Sequence, residues 1–347
     1  MERGADVSTY QLEKGVVETA RHRTAYLAAG PQDGPLLFFL HGCPDLSIFW
    51  RRQLAFFSQR GWRCIAPDMR GFGGSSVPGT IAAYALRESQ IDMIELHDAL
   101  GGRPAIWVGH DWGSAVVWSI AAHQSHRCRG VVSLTIPYFA RGFGVDNYLP
   151  LIDRALYPQD VYPAGQWEYW RFYQEHFARA VEDFETDVAA TFRVLLQSAP
   201  PIEPAVPAIT AHIRNQGGCF GTSRRPPAIP RDTALLSEED FATLVAAYER
   251  TGFSSAIAWY LNDDENIAYA AEAPNFGRLS VPSLFVHAAR DAVCDTVRGR
   301  FADLMREDLV DLTEEVIDAG HLVMLERPDE TNDALGRWLA ALDERPR

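Results

Sequence analysis

The sequence predicts an α/β protein: a mostly parallel sheet with helices on both faces, interrupted by one inserted helical segment. Three observations carry this. Short apolar runs alternate with helical stretches over residues 1–137. The alternation stops at Pro137, and residues 138–278 read as aromatic-rich helical patterns. It then resumes over 279–347. Strands that alternate with helices pair in parallel through crossover connections, and a chain of 347 residues buries one large core without difficulty. The predicted organisation is a discontinuous core, 1–137 with 279–347, carrying an inserted lid at 138–278.

Taken in order, Val16 to Ala29 holds two strands broken near Arg21-His22-Arg23. Leu36-Leu37-Phe38-Phe39-Leu40 is apolar throughout, as a strand covered on both faces should be. A helical stretch from Ser47 to Ser58 leads to a strand at Cys64-Ile65-Ala66, and a longer helical pattern covers Ala82 to Leu100. Pro104 to Val108 is the next strand, Ser114 to Ile120 the helix after it, and Val131 to Ile136 the following strand. Within the inserted segment a Pro-laden stretch from Ala199 to Pro230 predicts an extended loop. Ser237-Glu238-Glu239-Asp240 has the pattern of a capping box opening a helix over Phe241 to Glu249. Leu284 to His287 and Glu315 to Asp318 are the late strands, with Asp295 expected at a helix N-terminus and Asp318 inside its strand.

Composition narrows the function. With 32 basic and 46 acidic residues the net charge is −14, and no basic cluster relieves it, which excludes a nucleic-acid surface. No run approaches membrane-spanning length, and Met1 to Asp6 lacks a hydrophobic signal core. Cys43, Cys64, Cys128, Cys219 and Cys294 are scattered and form no C-x-x-C, which suits reduced thiols rather than disulfides or a zinc site. The cytoplasm is the expected compartment.

Gly109-His110-Asp111-Trp112-Gly113 lies between the strand 104–108 and the helix 114–120. A sharp strand-to-helix turn needs small residues two positions either side of the residue it exposes, and Gly109 and Gly113 supply them. The turn leaves the Trp112 N–H at a helix N-terminus, facing any negative charge that develops there. The exposed residue is an aspartate. A carboxylate cannot run acyl transfer as a serine does, but it can displace a leaving group at a saturated carbon and become an ester itself.

Two later loops complete a constellation. Asp291 ends the strand that begins at Leu284, and His321 follows the strand that begins at Glu315. The chain order of nucleophile, acid and base is one in which such triads occur. His321 is the expected general base toward water, with Asp291 orienting its other ring nitrogen. His41-Gly42-Cys43-Pro44 closes the strand 36–40, and the Cys43 N–H is the expected second oxyanion donor. The Cys43 side chain is expected to be a small filler and His41 to be bonded to backbone.

With these motifs in place the sequence resembles the epoxide hydrolases of the α/β-hydrolase fold. The resemblance rests on H-G-x-P at 41–44, D-x-R-G-F-G-x-S at 68–75, the aspartate elbow at 109–113 and G-H at 320–321, and it spans nearly the whole chain. It implies two lid tyrosines that donate to the epoxide oxygen. Tyr173, in Arg171 to Phe177, and Tyr260, in Ala258 to Asn262, match those segments. A phenol with pKa near 10 can donate to an alkoxide at neutral pH. Cys43 stands where the family more often has an aromatic.

The resemblance implies hydrolysis of a hydrophobic epoxide to a diol, with no cofactor and no metal. A homodimer stays open. The alternative is a haloalkane dehalogenase, which shares the Asp-Trp elbow but holds its halide with an asparagine at the position of Cys43 or with further tryptophans. Gly71-Phe72-Gly73-Gly74-Ser75-Ser76 resembles a dinucleotide loop, but it lacks the third glycine and Pro67 to Arg70 separate it from its strand.

Overall fold

In the computed structural model, which describes residues 11–203 and 205–344, eight strands form one sheet. They are β1 (Glu13–Glu18), β2 (Arg23–Ala29), β3 (Leu36–Leu40), β4 (Arg63–Pro67), β5 (Ala105–His110), β6 (Cys128–Leu134), β7 (Ser283–Ala288) and β8 (Leu312–Ile317). Their order is β1-β2-β4-β3-β5-β6-β7-β8. β1 and β2 are antiparallel, as are β2 and β4, and every later pairing is parallel. The strands β3, β4, β5 and β7 are buried at every position, and runs of apolar residues in β3, β5 and β7 replace the alternation of a half-exposed strand. The edge strand β1 alternates between half-buried and exposed residues.

Helices α1 (Arg51–Ser58), α2 (Leu86–Ala99) and α3 (Trp112–His123) connect the early strands. Between β6 and β7 lie α4 (Val145–Tyr148), α5 (Glu168–Glu175), α6 (Phe177–Glu185), α7 (Val188–Leu195), α8 (Glu238–Thr251), α9 (Ser254–Ala258) and α10 (Asp263–Ala270), with no strand among the described residues. α11 (Asp303–Asp308), α12 (Val323–Glu326) and α13 (Pro328–Asp343) complete the chain. α2 packs on α3 over β5 and β6, while α1 packs on α13, which lies against β8. The sheet core is densely aromatic: Phe38 stacks on Trp107 with ring centroids 4.3 Å apart.

Most predicted elements stand, with four differences. The strand expected at 131–136 is β6, ending at Leu134, because Thr135 turns left-handed at φ 71°, a conformation costly for a β-branched residue. The helical pattern 82–100 divides into a 3-10 turn, Ile81–Tyr84, and α2. Asp318 lies beyond β8, exposed and paired with the Arg290 guanidinium (Nε to Oδ1 2.6 Å), so it is not a strand residue. Asp295 caps an isolated turn through the N–H groups of Val297 and Arg298 (3.2 and 2.9 Å), and no helix starts there. Ser237 does cap α8, its hydroxyl accepting from Asp240 N at 3.0 Å. The Pro-laden stretch is irregular apart from the 3-10 turns Ile209–His212 and Gly221–Ser223.

Parallel pairing sets the C-terminal ends of β3, β5, β7 and β8 along one edge, where loops gather into sites. The loops 41–44, 109–113, 289–294 and 318–321 all leave from that edge.

Candidate active site

Asp111 occupies the turn between β5 and α3 at φ 50° and ψ −122°. Such a conformation costs on the order of 1–3 kcal/mol in a non-glycine residue and persists only where neighbours enforce it. The enforcement is steric. A Cβ on Gly113 would lie 2.2 Å from the Leu40 carbonyl oxygen, and one on Gly109 would lie 2.4 Å from the Gly113 carbonyl oxygen. Only glycines let the elbow pack this closely against β3.

The Asp111 carboxylate is held on two sides. Cys43 N–H donates to Oδ1 at 2.8 Å, and His321 Nε2 lies 3.5 Å from Oδ2. Trp112 opens α3 immediately beside it, and the first N–H groups of a helix have no partner within the helix. His321 Nδ1 is 2.7 Å from Asp291 Oδ2, while Asp291 Oδ1 accepts from Val293 N (2.9 Å) and Cys294 N (3.0 Å). Burial by itself would drive the His321 imidazolium to deprotonate. The Asp291 and Asp111 carboxylates outweigh it and hold the ring well above the ordinary histidine range. Asp291 is almost fully buried, and its desolvation is outweighed by His321 and the two backbone donors, which keep it ionised.

His41 is structural, as expected. Its Nε2 accepts from Met69 N at 2.9 Å, so the proton sits on Nδ1 and is donated to the Gly42 carbonyl at 2.7 Å. The adjacent Cys43-Pro44 bond is cis. Burial, then the charges of Asp111 and Asp45, push the Cys43 thiol well above its usual range. A thiol kept protonated does not compete with Asp111 for an electrophile.

Above the carboxylate sits an aromatic cage. The Trp112 ring meets Phe143 (4.7 Å), Tyr260 (5.1 Å), Trp170 (5.4 Å) and Trp259 (5.6 Å) between centroids. Tyr260 follows α9 in the 3-10 turn Trp259–Leu261, and its ring is 5.2 Å from that of Tyr173 and 5.7 Å from that of Tyr169. All three phenols are raised well above the usual tyrosine range, chiefly by burial, so each stays a donor. Their surroundings differ. The Tyr173 hydroxyl is 3.7 Å from Cys219 Sγ, whereas the negative charge of Asp111 acts on Tyr169 and Tyr260.

The chain matches the family model of the alpha/beta hydrolase fold over residues 35–328. It is 30% identical to epoxide hydrolase A of Mycobacterium tuberculosis (strain ATCC 25618 / H37Rv), an alignment covering 95% of this chain and 98% of that protein. The crystal structure of epoxide hydrolase A from Mycobacterium thermoresistibile superposes with a TM-score of 0.77 at 29% identity, over 95% of this chain and 98% of that one. The chain belongs to the epoxide hydrolases of the α/β-hydrolase fold. It is also 28% identical to bifunctional epoxide hydrolase 2 of Sus scrofa, covering 88% of this chain and 51% of that protein.

In this epoxide hydrolase the structure brings together Asp111, His321, Asp291 and the N–H of Cys43 as the sequence led us to expect. Tyr173 is the departure. It shares a face of α5 with Tyr169, one turn earlier; the charges of Asp111 and Asp291 act on the Tyr169 phenol, whereas the Tyr173 hydroxyl lies 3.7 Å from Cys219 Sγ. Sequence reasoning also passed over His110, which links Asp45 Oδ2 (Nδ1, 3.1 Å) to the main-chain carbonyl of His321 (Nε2, 2.8 Å). Its position inside the elbow motif was the available signal. No helix among the described residues is long and apolar enough to cross a membrane.

Proposed function

We propose that this hydrolase converts a hydrophobic epoxide and water to a vicinal diol through an ester on Asp111. The observation that carries the reading is an aspartate at the elbow, held by Cys43 N at 2.8 Å and facing His321 Nε2 at 3.5 Å. In the first step one Asp111 oxygen attacks an epoxide carbon and the carbon–oxygen bond breaks. The resulting alkoxide is protonated by Tyr169 or Tyr260, with the proton made good from the His321 imidazolium. Esterification removes the Asp111 charge that helped hold that proton, so the ring is left neutral and ready to act as a base.

In the second step neutral His321, oriented by Asp291, takes a proton from water as the oxygen attacks Asp111 Cγ. The N–H groups of Cys43 and Trp112 hold the oxyanion. Collapse expels the diol oxygen, which takes the carboxyl proton, and the imidazolium–carboxylate pair is restored. Residues 138–278 act as a lid on the core formed by 1–137 and 279–347, and the aromatic cage excludes water and favours an apolar substituent.

Dehalogenation is the weaker reading, because the phenols facing Asp111 suit an alkoxide and Cys43 occupies the position where a halide-binding asparagine would stand. The experiment is incubation with a panel of racemic epoxides and with haloalkanes. Diol from the epoxides without halide from the haloalkanes is expected. Halide release without diol formation contradicts the proposal.

A further inference from the structure

Tyr260 is held from behind. Its main-chain carbonyl accepts from Trp170 Nε1 at 2.8 Å and from Gln174 Nε2 at 3.1 Å, two donors four residues apart on one face of α5. The same Gln174 nitrogen donates to Asp263 Oδ2 at 2.8 Å, and that oxygen also accepts Val145 N, at the start of α4, at 3.0 Å. Asp263 is the first residue of α10. One carboxylate thus ties α4, α5 and α10 together directly behind the turn that carries Tyr260. Its other oxygen, Oδ1, is buried and has no hydrogen-bond partner among the described residues.

We propose that Asp263 is a positioning residue for Tyr260: its carboxylate fixes Gln174 on the Tyr260 carbonyl and so sets where the phenol meets the substrate oxygen. The inference rests on the epoxide reading above, in which Tyr260 touches substrate and Asp263 does not.

The ionisation of Asp263 makes the role measurable. Burial raises its carboxyl to about 6, against the lowering effect of Val145 N, Gln174, Arg171 and Trp170. The charged and titratable groups facing it from the packed elements are Arg171 of α5, itself paired with Asp146 of α4, and the buried Tyr148 phenol of α4. Above about pH 6 the ionised carboxylate accepts both donors strongly. Below it the proton occupies the unpartnered oxygen, and the two bonds weaken from charge-assisted to neutral.

The test is the alkylation rate in single turnovers between pH 5 and 8, which does not use His321 as a base. The wild-type rate should fall about 3- to 10-fold as pH drops through the Asp263 transition. Asp263→Asn, which has the shape of the protonated acid, should be flat at the slower rate, with ester hydrolysis unchanged. Gln174→Leu keeps the carboxylate, breaks the tether and should be slow at every pH, so it decides the matter if Asp263→Asn loses its fold. An Asp263→Asn variant that retains the wild-type pH dependence, or a Gln174→Leu variant alkylating at the wild-type rate, overturns the proposal. Failure of the epoxide reading itself would show separately, as no diol from the wild type.

Discussion

His321 Nε2 lies 3.5 Å from Asp111 Oδ2 while its Nδ1 lies 2.7 Å from Asp291 Oδ2, so one imidazole spans two carboxylates. Both carboxylates therefore bear on the proton that the ring carries. In the proposed two-step reaction the free site stores a proton on His321, and consuming the Asp111 charge in the first step would release that proton and leave the base required for the second.

His321 should accordingly titrate well above the ordinary histidine value in the free enzyme. Because its folded value is raised, its contribution to stability is full below about pH 6.5 and fades as pH rises through the folded value. In Asp111→Asn, neutral like the ester, NMR titration of ¹⁵N-labelled histidine should place His321 lower by about one pH unit or more. An unchanged midpoint would show that the Asp111 charge does not hold the proton.

His321→Gln should separate the two steps. The variant keeps the nucleophile and the phenols but lacks the base, so it should form the ester and release product at least about 100-fold more slowly. Intact-protein mass spectrometry should find an adduct of one substrate mass. Unmodified, folded, inactive protein would show that the ester cannot form without the His321 proton and would contradict a role for His321 that is indispensable only in the second step.

The three phenols Tyr169, Tyr173 and Tyr260 should not be equivalent. Tyr169→Phe and Tyr260→Phe should each slow alkylation roughly 10- to 1,000-fold, and the double variant should nearly abolish it, since losing one oxyanion-type donor typically costs about 3–4 kcal/mol. Tyr173→Phe gives up only a contact to Cys219 and should stay within about threefold of wild type. Stopped-flow tryptophan fluorescence reads all of these. A Tyr173→Phe effect as large as that of Tyr169→Phe would return the donor role to Tyr173.

Much of this site is legible before the structure because its residues are demanded by backbone geometry. Gly109 and Gly113 flank a turn that no other residue can close, and continuous apolar runs mark β3, β5 and β7. Asp291 and His321 sit just beyond strands whose ends periodicity locates to within a few residues. The choice between Tyr169 and Tyr173 is a different kind of question. Both point from one face of α5, and what separates them is where α5 docks over the core, which only tertiary packing decides. Likewise Asp318 reads as a continuation of β8 because its neighbours are apolar, and only the salt bridge to Arg290 reveals that the strand has ended. The tie from Asp263 to Tyr260 runs through Gln174 of another helix and left no local pattern to read.

The covalent mechanism requires water to attack Asp111 Cγ rather than the epoxide carbon. Wild-type enzyme in excess over epoxide, in ¹⁸O water, should give a first-turnover diol whose new hydroxyl carries unlabelled oxygen from Asp111, with ¹⁸O appearing in the Asp111 carboxylate of the recovered protein. A diol labelled in the first turnover, with an unlabelled Asp111, would mean that activated water opens the epoxide directly and would contradict the covalent mechanism.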